Sequence, residues 1–478
     1  QKDGATIEDI SAGLSISVVK NALYKVIRKK NLGNNILVQG GTLCNNAILR
    51  SLELELGQKV IRTNISGLMG AYGAALYAKE KKLDKSSIIT NEELRNFVHS
   101  SKAAKCGLCT NHCNLTINTF TGKRRYISGN NCSRPLGKEK LNELPNLYDY
   151  KFNKLLSYSN NDGRKGTIGI PMVLNMYENL PFFVRLFNEL GIKVILSDLS
   201  SKKLYLSGQH TIPSDTACYP AKLTHGHIES LMNKDVKNIF YPAMSYNFDE
   251  GISDDNYNCP VVAYYPEVIK NNVSRIKSYN FISPYLDLNS KKSTVENLYK
   301  SLKDNFEWIK KRDISKAYDM AIEEYKKYKQ DILKKGREAV EYAKAKGLLT
   351  VILAGRPYHI DKEINHGIYK LFSSLDIVVL TEDSIPIDKE NLKVQILNQW
   401  TYQARLFNAA NYVVNHDNTE LVQLVSFGCG TDAIIADELK RILQNAGRLY
   451  TQIKIDETSN LGASKIRIRS MVEAIRNR

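Results

Sequence analysis

Apolar residues in the first 30 positions of the chain recur at helical spacing. The recurring positions, four residues apart, are Ile10, Leu14, Val18, Ala22 and Val26. Spacing of this kind predicts an amphipathic helix over residues 6–30. Thr6 and Asp9 fit a capping box at its start.

The next 50 residues change from a strand-like pattern to two helical patterns. "NILVQGG" (35–41) predicts a buried strand that ends in two glycines. "NNAILRSLELELG" (45–57) predicts a helix that stops at Gly57, and 67–82 predicts a helix rich in small residues. This order of elements is typical of the last third of an α/β domain.

A predicted β-hairpin and a cysteine cluster occupy the following segment. "LTINTF" (115–120) and "RYISG" (125–129) flank "TGKR", which contains a glycine suited to a turn.

Strand and helix patterns then alternate in two further stretches of the chain. In the first, strands are expected at 167–174, 193–197 and 238–243, with a helix at 180–191. In the second, strands are expected at 348–355, 376–380, 412–415, 421–427 and 450–456, with helices at 366–375, 431–444 and from about 462. A charged stretch at 292–346 predicts helix and connects the two. Alternation of this kind predicts parallel, doubly wound sheets.

These patterns predict an α/β protein of five regions. They are an incomplete α/β domain (1–85), a cysteine-rich metal module (86–150), a first α/β unit (151–290), a helical connector (291–346) and a second α/β unit (347–478).

Composition narrows the possible partners. The net charge is +17, but the lysines are scattered and no arginine stripe alternates with aromatic residues, so no nucleic-acid partner is expected. No run of 18 apolar residues occurs, so no membrane segment is expected, and no signal peptide is recognisable. A cytoplasmic location is therefore expected. The chain opens at Gln1 without a Met, and we expect an upstream part.

Four of the eight cysteines lie within 27 residues. Cys106, Cys109, Cys113 and Cys132 have the spacing of a four-ligand site, and both zinc and a [4Fe–4S] cluster accept four thiolates. Four unrelated buried thiols are the alternative, which such tight spacing disfavours. His112 is interpreted as a loop residue, since the thiolates already number four.

Three further cysteines lie far apart in sequence, each in a loop. Cys218 and Cys429 precede predicted helices, and Cys259 precedes a short apolar run. Ligands of open α/β sheets gather beyond the carboxyl ends of strands, where three such thiolates could converge on an iron–sulfur cluster and leave one iron free. Spacing alone favours three unrelated thiols, whereas Gly428 and Gly430 favour close approach to a cofactor.

Other polar residues are less specific. Arg356 and His359 follow a predicted strand in "ILAGRPYH", where they could grip a carboxylate or phosphate, although a solvated turn arginine is equally common. His225 and His227 do not share a helix face and are not assigned metal. Cys44 is expected to be a packed thiol.

Several longer segments resemble known proteins. "VQGGTLCNNAILRSLE" and "GLMGAYGAALYAKE" resemble the C-terminal end of the actin-like ATPase domain in activators of 2-hydroxyacyl-CoA dehydratases. "PSDTACYPAKLTHGHI", "NYNCPVVAYYPEVI", "AGRPYHIDKEINHGI" and "SFGCGTDA" resemble the CoA enzyme activase family of long fused proteins.

The resemblance implies roles for particular residues. Gly40, Gly41 and Asn45 match the nucleotide-contacting glycine motif of the ATPase. The cysteines Cys218, Cys259 and Cys429 match thiolates that hold an iron–sulfur cluster in flavodoxin-like dehydratase subunits. An Asp-x-Gly phosphate loop is not found in residues 1–80, so the chain alone is not expected to hydrolyse ATP.

Together these features predict an iron–sulfur electron-transfer protein, part of an ATP-dependent low-potential reductase. It would carry one or two [4Fe–4S] clusters and bind ATP through the incomplete ATPase domain. Its partners would be an N-terminal ATPase portion or a separate activator, and a small acyl-CoA-like substrate that Arg356 and His359 orient. The alternative is a non-catalytic scaffold in which Cys106 to Cys132 hold structural zinc and the α/β units bind a partner or a CoA-like ligand.

Overall fold

The computed structural model describes residues 4–27, 32–82, 88–106, 114–129, 144–390, 392–426, 428–457 and 461–476. The chain divides into two compact units, Gln1–Val98 and His99–Arg478.

The first unit is mainly helical. Its elements are α1 (Ile7–Ala22), a π-helical turn (Leu23–Ile27), β1 (Leu37–Val38), α2 (Asn46–Leu56), β2 (Ile61–Arg62), α3 (Met69–Glu80) and α4 (Asn91–Arg95), with β1 and β2 paired in parallel. Thr6 and Asp9 form the predicted capping box, and Gly57 ends α2 in the left-handed conformation. The predicted strand is shortened to β1, in which Leu37 is exposed, because its sheet has only two strands.

A three-stranded antiparallel sheet opens the second unit. Its strands are β3 (His99–Lys105), β4 (Asn114–Phe120) and β5 (Arg124–Ser128), with β4 in the middle. Strands β4 and β5 form the predicted hairpin, and Gly122 takes a φ of 75° in its turn. Strand β3 was not predicted, since its small and polar residues lack an apolar pattern.

The first parallel sheet has the order β10-β8-β6-β7. Its strands are β6 (Gly166–Ile170), β7 (Ile192–Leu196), β8 (Asn238–Phe240) and β10 (Asn280–Ile282). Strands β9 (Ala243–Tyr246) and β11 (Tyr285–Asp287) follow β8 and β10 closely and pair with each other in parallel. Pro242 and Pro284 lie at the breaks, and the missing N–H of proline explains why each ladder is interrupted there.

Helices surround this sheet and continue beyond it. They are α5 (Leu147–Ser157), α6 (Met176–Glu189), α7 (Lys202–Gly208), α8 (Tyr219–Asn233), α9 (Pro260–Asn272), α10 (Lys291–Leu302) and α11 (Lys311–Lys346). The predicted helical connector is thus two helices. Helix α11 has 36 residues and packs along α6.

The second parallel sheet has the order β13-β12-β14-β15. Its strands are β12 (Thr350–Ala354), β13 (Val378–Leu380), β14 (Thr419–Ser426) and β15 (Thr451–Ile455), with helices α12 (Ile368–Ser373), α13 (Thr401–Val414), α14 (Gly430–Asn445) and α15 (Leu461–Arg476). The strand predicted at 412–415 is wrong. These residues end α13, whose buried Leu406, Ala410 and Val413 follow helical spacing that begins well before the valines.

Both parallel sheets therefore share one strand order: in each, the first strand lies between the second and the third. The crossovers leave the first strand in opposite directions, and the carboxyl ends of the first and third strands border a crevice where ligands bind in open α/β sheets. In the second sheet, the loops at this crevice carry Arg356 and Cys429.

Candidate functional site

The cysteines at 218, 259 and 429 each occupy the N-cap position of a helix. Cys218 precedes α8, Cys259 precedes α9 and Cys429 precedes α14. Proline lies in the first turn of α8 and of α9, where its fixed φ suits the start of a helix. Because helix N-termini carry partial positive charge, all three sulfur atoms lie where negative charge is stabilised.

The structure brings these three cysteines into one pocket of the second unit. Cys259 and Cys429 both lie close enough to Cys218 to raise its pKa, and Cys429 lies close enough to raise that of Cys259. Gly428 has a φ of 74°, and a Cβ there would lie 3.3 Å from the carbonyl oxygen of Thr216. The loop before α14 therefore packs against the loop before α8, so the pocket lies between the two α/β halves.

Burial opposes ionisation of the Cys218 and Cys259 thiols. It raises the pKa of Cys218 to about 12, with Cys259 and Cys429 adding to the effect, and it also raises the pKa of Cys259. Backbone N–H groups act in the other direction: the N–H of Val262 lies 3.5 Å from the Cys259 sulfur. The thiols of Cys218 and Cys259 therefore favour the protonated form unless a positive group joins them.

A buried arginine lies against this pocket. Arg356 forms an ion pair of 2.7 Å with Asp432, donates to Thr431 Oγ1 at 3.1 Å, and has Nη2 3.8 Å from Cys429 Sγ. Burial acts to lower the pKa of Arg356, but Asp432 holds it well above the ordinary value. Arg356 is thus a fixed positive charge beside the thiols.

Tyrosines complete the surroundings, and the sequence reasoning did not single them out. Tyr358 is buried, and its pKa is raised chiefly by that burial, with all three cysteines contributing. Burial raises the pKa of Tyr241 and of Tyr265. Cys218 adds to the rise in both, and Cys259 adds to it in Tyr241. The available signal was the position of Tyr358, two residues after Arg356 in the loop that follows β12.

His359 lies deeper in the same loop. The backbone N–H of Arg356 donates to its Nδ1 at 3.1 Å, so its proton is on Nε2, which has no hydrogen-bond partner among the described residues. Burial, with the charge of Arg356, lowers the pKa of His359 well below its ordinary value. These contacts fix the loop backbone around Arg356.

The glycine motif of the first unit forms a turn before α2. Gly40 has a φ of 106° and donates its N–H to Ser66 O at 2.8 Å, while Gly41 begins a short 3₁₀ helix. Asn45 caps α2 by accepting from the N–H of Ala47 at 2.9 Å. The expectation that Cys44 is a packed thiol is wrong: Cys44 is exposed.

The four-cysteine module falls mostly outside the described residues. Cys106 is buried and packs with Leu115 and Ile127 beside the antiparallel sheet. Cys109, Cys113 and Cys132 lie outside the described residues, so a four-thiolate site remains a prediction.

The donor atoms that the pocket offers are the sulfur atoms of three cysteines. Within the described ranges, no group of three or more His, Cys, Asp or Glu residues could hold a metal ion. All thiolates of a single-ion site lie about 2.3 Å from one point. A cubane presents iron at separate corners, so its thiolates stand further apart, and it accepts cysteine thiolates of the kind that Cys218, Cys259 and Cys429 provide.

The fold and this pocket define an α/β protein with buried thiols between two parallel sheets. Residues 167–385 match the model of the CoA enzyme activase uncharacterised domain. This match, which spans just under half of the chain, makes that part similar to the CoA enzyme activase family.

One curated protein similar to this chain is the 2-hydroxyisocaproyl-CoA dehydratase activator of Clostridioides difficile. The two are 33% identical over 89 residues, which cover 19% of this chain and 33% of that protein. The match thus spans about a third of the length of that relative. These similarities relate the chain to the 2-hydroxyacyl-CoA dehydratase activator system.

Among solved structures, the C-terminal domain of glucosamine-fructose-6-phosphate aminotransferase from Francisella tularensis is similar at 11% identity and a TM-score of 0.17. The similarity covers 71% of this chain and 88% of that one, and a TM-score this low supports no fold assignment. None of the helices in the described ranges is sufficiently long and apolar to span a membrane.

Proposed function

We propose that the chain is an iron–sulfur electron-transfer component of an ATP-dependent, low-potential reductase related to the 2-hydroxyacyl-CoA dehydratase activators. Its cluster would be held by Cys218, Cys259 and Cys429. The observation that carries this proposal is that three N-capping thiols from both α/β halves meet beside one buried arginine.

The electrostatics of the pocket support this assignment. Three thiolates buried together would repel one another, and burial favours the protonated form of Cys218 and Cys259. Three helix N-termini and Arg356 supply part of the compensating positive charge, and bound iron would supply the rest. A cluster in this position would accept and pass on single electrons.

The main role of Arg356 and His359 would then be to stabilise the pocket, and any contact with a substrate would be secondary. The guanidinium of Arg356 is engaged by Asp432 and Thr431 and faces Cys429. It would stabilise the added negative charge when the pocket is reduced. His359 would hold the backbone of that loop. A small acyl-CoA-like substrate would approach the free iron, with Tyr358 beside it.

We further propose that Gln1–Val98 is the C-terminal part of an actin-like ATPase domain. Large apolar side chains of this unit are exposed, as expected of a domain that lacks part of its core; they include Ile7, Leu14, Leu54, Leu68, Tyr72 and Tyr77. An N-terminal ATPase portion or a separate activator would cover them, and Gly40, Gly41 and Asn45 would contact the nucleotide.

The two parallel sheets and the four-cysteine module complete the proposed assignment. The two parallel sheets have the strand order of flavodoxin-like domains and would form the dehydratase-subunit-like region. The module of Cys106, Cys109, Cys113 and Cys132 would relay electrons between the ATPase and the pocket.

The test is the iron, sulfide and zinc content of protein purified without air. About four irons per thiolate-held cubane are expected, with matching sulfide. Cys429→Ser and Cys218→Ser should each lose about four irons by the same reckoning. Cys44→Ser is the matched control, since Cys44 is exposed in the other unit and should leave the iron content unchanged.

Two results would overturn the proposal. Zinc without iron would favour the non-catalytic scaffold with a structural zinc site. Unchanged iron in both Cys429→Ser and Cys218→Ser would show that the three-cysteine pocket holds no cluster.

A further inference from the structure

A buried cluster of charged side chains lies between the two α/β halves, apart from the cysteines. It joins α5, α6, α11, α13 and the loops after β9 and β13. Its members are Lys151, Glu178, Glu250, Lys329, Glu382, Asp383 and Arg405. We call it the interdomain charge cluster.

Most members of this cluster are paired. Lys151 Nζ lies 2.9 and 2.8 Å from the two carboxylate oxygens of Asp383. Arg405 contacts Glu178 at 2.7 Å and Glu250 at 2.7 Å. Lys329 lies within 3.5 Å of all three of these carboxylates. The three cations thereby balance three carboxylates.

Glu382 is the fourth carboxyl group, and no cation of the cluster is left for it. Only 3% of its surface is exposed. The titratable groups that face it are Asp383 from its own loop, Lys151 and Tyr148 from α5, and Arg405 from α13. Burial, and next Asp383, raise the pKa of Glu382 to about 7, against the pull of Lys151 and Arg405.

Glu382 is linked to the three-cysteine pocket by one hydrogen bond from the backbone. The N–H of Gly355 donates to its Oε2 at 3.3 Å. Gly355 is the residue before Arg356, and a Cβ at Gly355 would lie 2.4 Å from His359 Nδ1. A carboxylate accepts this bond more strongly than a carboxylic acid does, so the proton on Glu382 affects the start of the Arg356 loop.

We infer that Glu382 is a positioning residue that takes up a proton from solvent when the three-cysteine pocket gains an electron. The inference rests on the proposed iron–sulfur cluster at that pocket. A low-potential one-electron donor supplies the electron, the carboxylate of Glu382 binds one proton, and no covalent bond between heavy atoms changes. The proton offsets the added negative charge and weakens the hydrogen bond from Gly355 at the start of the Arg356 loop.

The first experiment measures the midpoint potential of the iron-loaded full chain between pH 5.5 and 8.5, with titanium(III) citrate as reductant. The potential should fall as the pH rises through neutrality, because protonated Glu382 favours the reduced state. Glu382→Gln cannot titrate and should give a flat profile near the wild-type value at low pH. Glu382→Asp should restore part of the slope.

The matched control is Glu438→Gln. Glu438 is also buried and also accepts from a backbone N–H, that of Gln395 at 2.8 Å, but it lies on α14 and pairs with Arg441. It should keep the wild-type slope. A flat wild-type profile, or an unchanged slope in Glu382→Gln, would overturn the inference while leaving the proposed function intact.

A second readout does not need iron. The infrared spectrum of the metal-free protein should show a protonated carboxyl band that disappears as the pH is raised through neutrality. The band should be missing from Glu382→Gln and present in Glu438→Gln. If no iron binds, the proposed function fails by itself, and this spectrum still decides whether Glu382 holds the proton.

Discussion

Asp432 fixes the direction in which Arg356 points. Its carboxylate lies 2.7 Å from Arg356 and accepts from the backbone N–H of Ser426 at 2.9 Å, so the pair is tied to the end of β14. The guanidinium is thereby held 3.8 Å from Cys429 Sγ. Asp432, which orients the guanidinium, thus lies three positions after Cys429, the residue that the guanidinium faces.

Asp432→Asn should therefore be strongly destabilising. It leaves the charge of Arg356 buried without its partner, which costs about 3 kcal/mol or more of the free energy of unfolding. Urea denaturation measures this. Glu189→Gln breaks an ion pair with Arg185 that is partly exposed, and it should cost less than about 1 kcal/mol. Equal losses in the two variants would contradict the role given to Asp432.

Gly355→Ala should displace the Arg356 loop. The new Cβ would lie 2.4 Å from His359 Nδ1, too close for any side chain, and we expect a loss of about 1–3 kcal/mol with reduced iron retention. Gly430→Ala is the control, because a Cβ there meets nothing within 4 Å although it adjoins Cys429. Thermal unfolding and iron content of both variants test this. A loop that tolerates alanine at 355 as well as at 430 would refute it.

Buried histidines should make the fold sensitive to acid. His227 lies between Ser197 Oγ at 2.7 Å and Ser200 Oγ at 2.9 Å, and burial lowers its pKa to about 3. An unfolded histidine binds a proton near pH 6.5, so stability is fully present above that pH and falls as the pH decreases towards 3. At pH 5 the loss from this residue is about 2 kcal/mol.

Urea denaturation of the wild type and of His227→Gln from pH 5 to pH 8 measures that effect. The variant is expected to lose about 2 kcal/mol less than the wild type over this range, whatever its stability at pH 8. Parallel profiles would show that His227 is not the residue responsible.

The elements at the pocket were largely predictable because they depend on local patterns. Strand β14, helix α14 and the N-terminal positions of Cys218 and Cys429 follow from apolar runs bounded by loop residues. The error at 412–415 shows the limit: Val413 and Val414 favour a strand by themselves, but burial along the preceding residues decides for helix α13.

The polar partners could not be predicted, since they are distant in sequence. Lys151 and Asp383 are 232 positions apart, and Arg405 and Glu178 are 227 apart. The sequence around Glu382 does not indicate that Lys151 pairs with the adjacent Asp383 and not with Glu382. Such pairs arise when the two α/β halves pack, and a single sequence gives no spacing rule for them.

Helix α11 packs against both of the α/β halves that border the pocket. At 1.5 Å per residue its 36 residues extend about 54 Å, and it packs along α6 on one side. Further along, a Cβ at Gly336 would lie 1.7 Å from the carbonyl oxygen of Ser384, so helix and loop touch backbone to backbone. Helix α11 thus contacts elements of both α/β halves. An iron–sulfur cluster held there, as proposed, would have little freedom to rearrange its ligands when its charge changes, which would favour fast electron transfer.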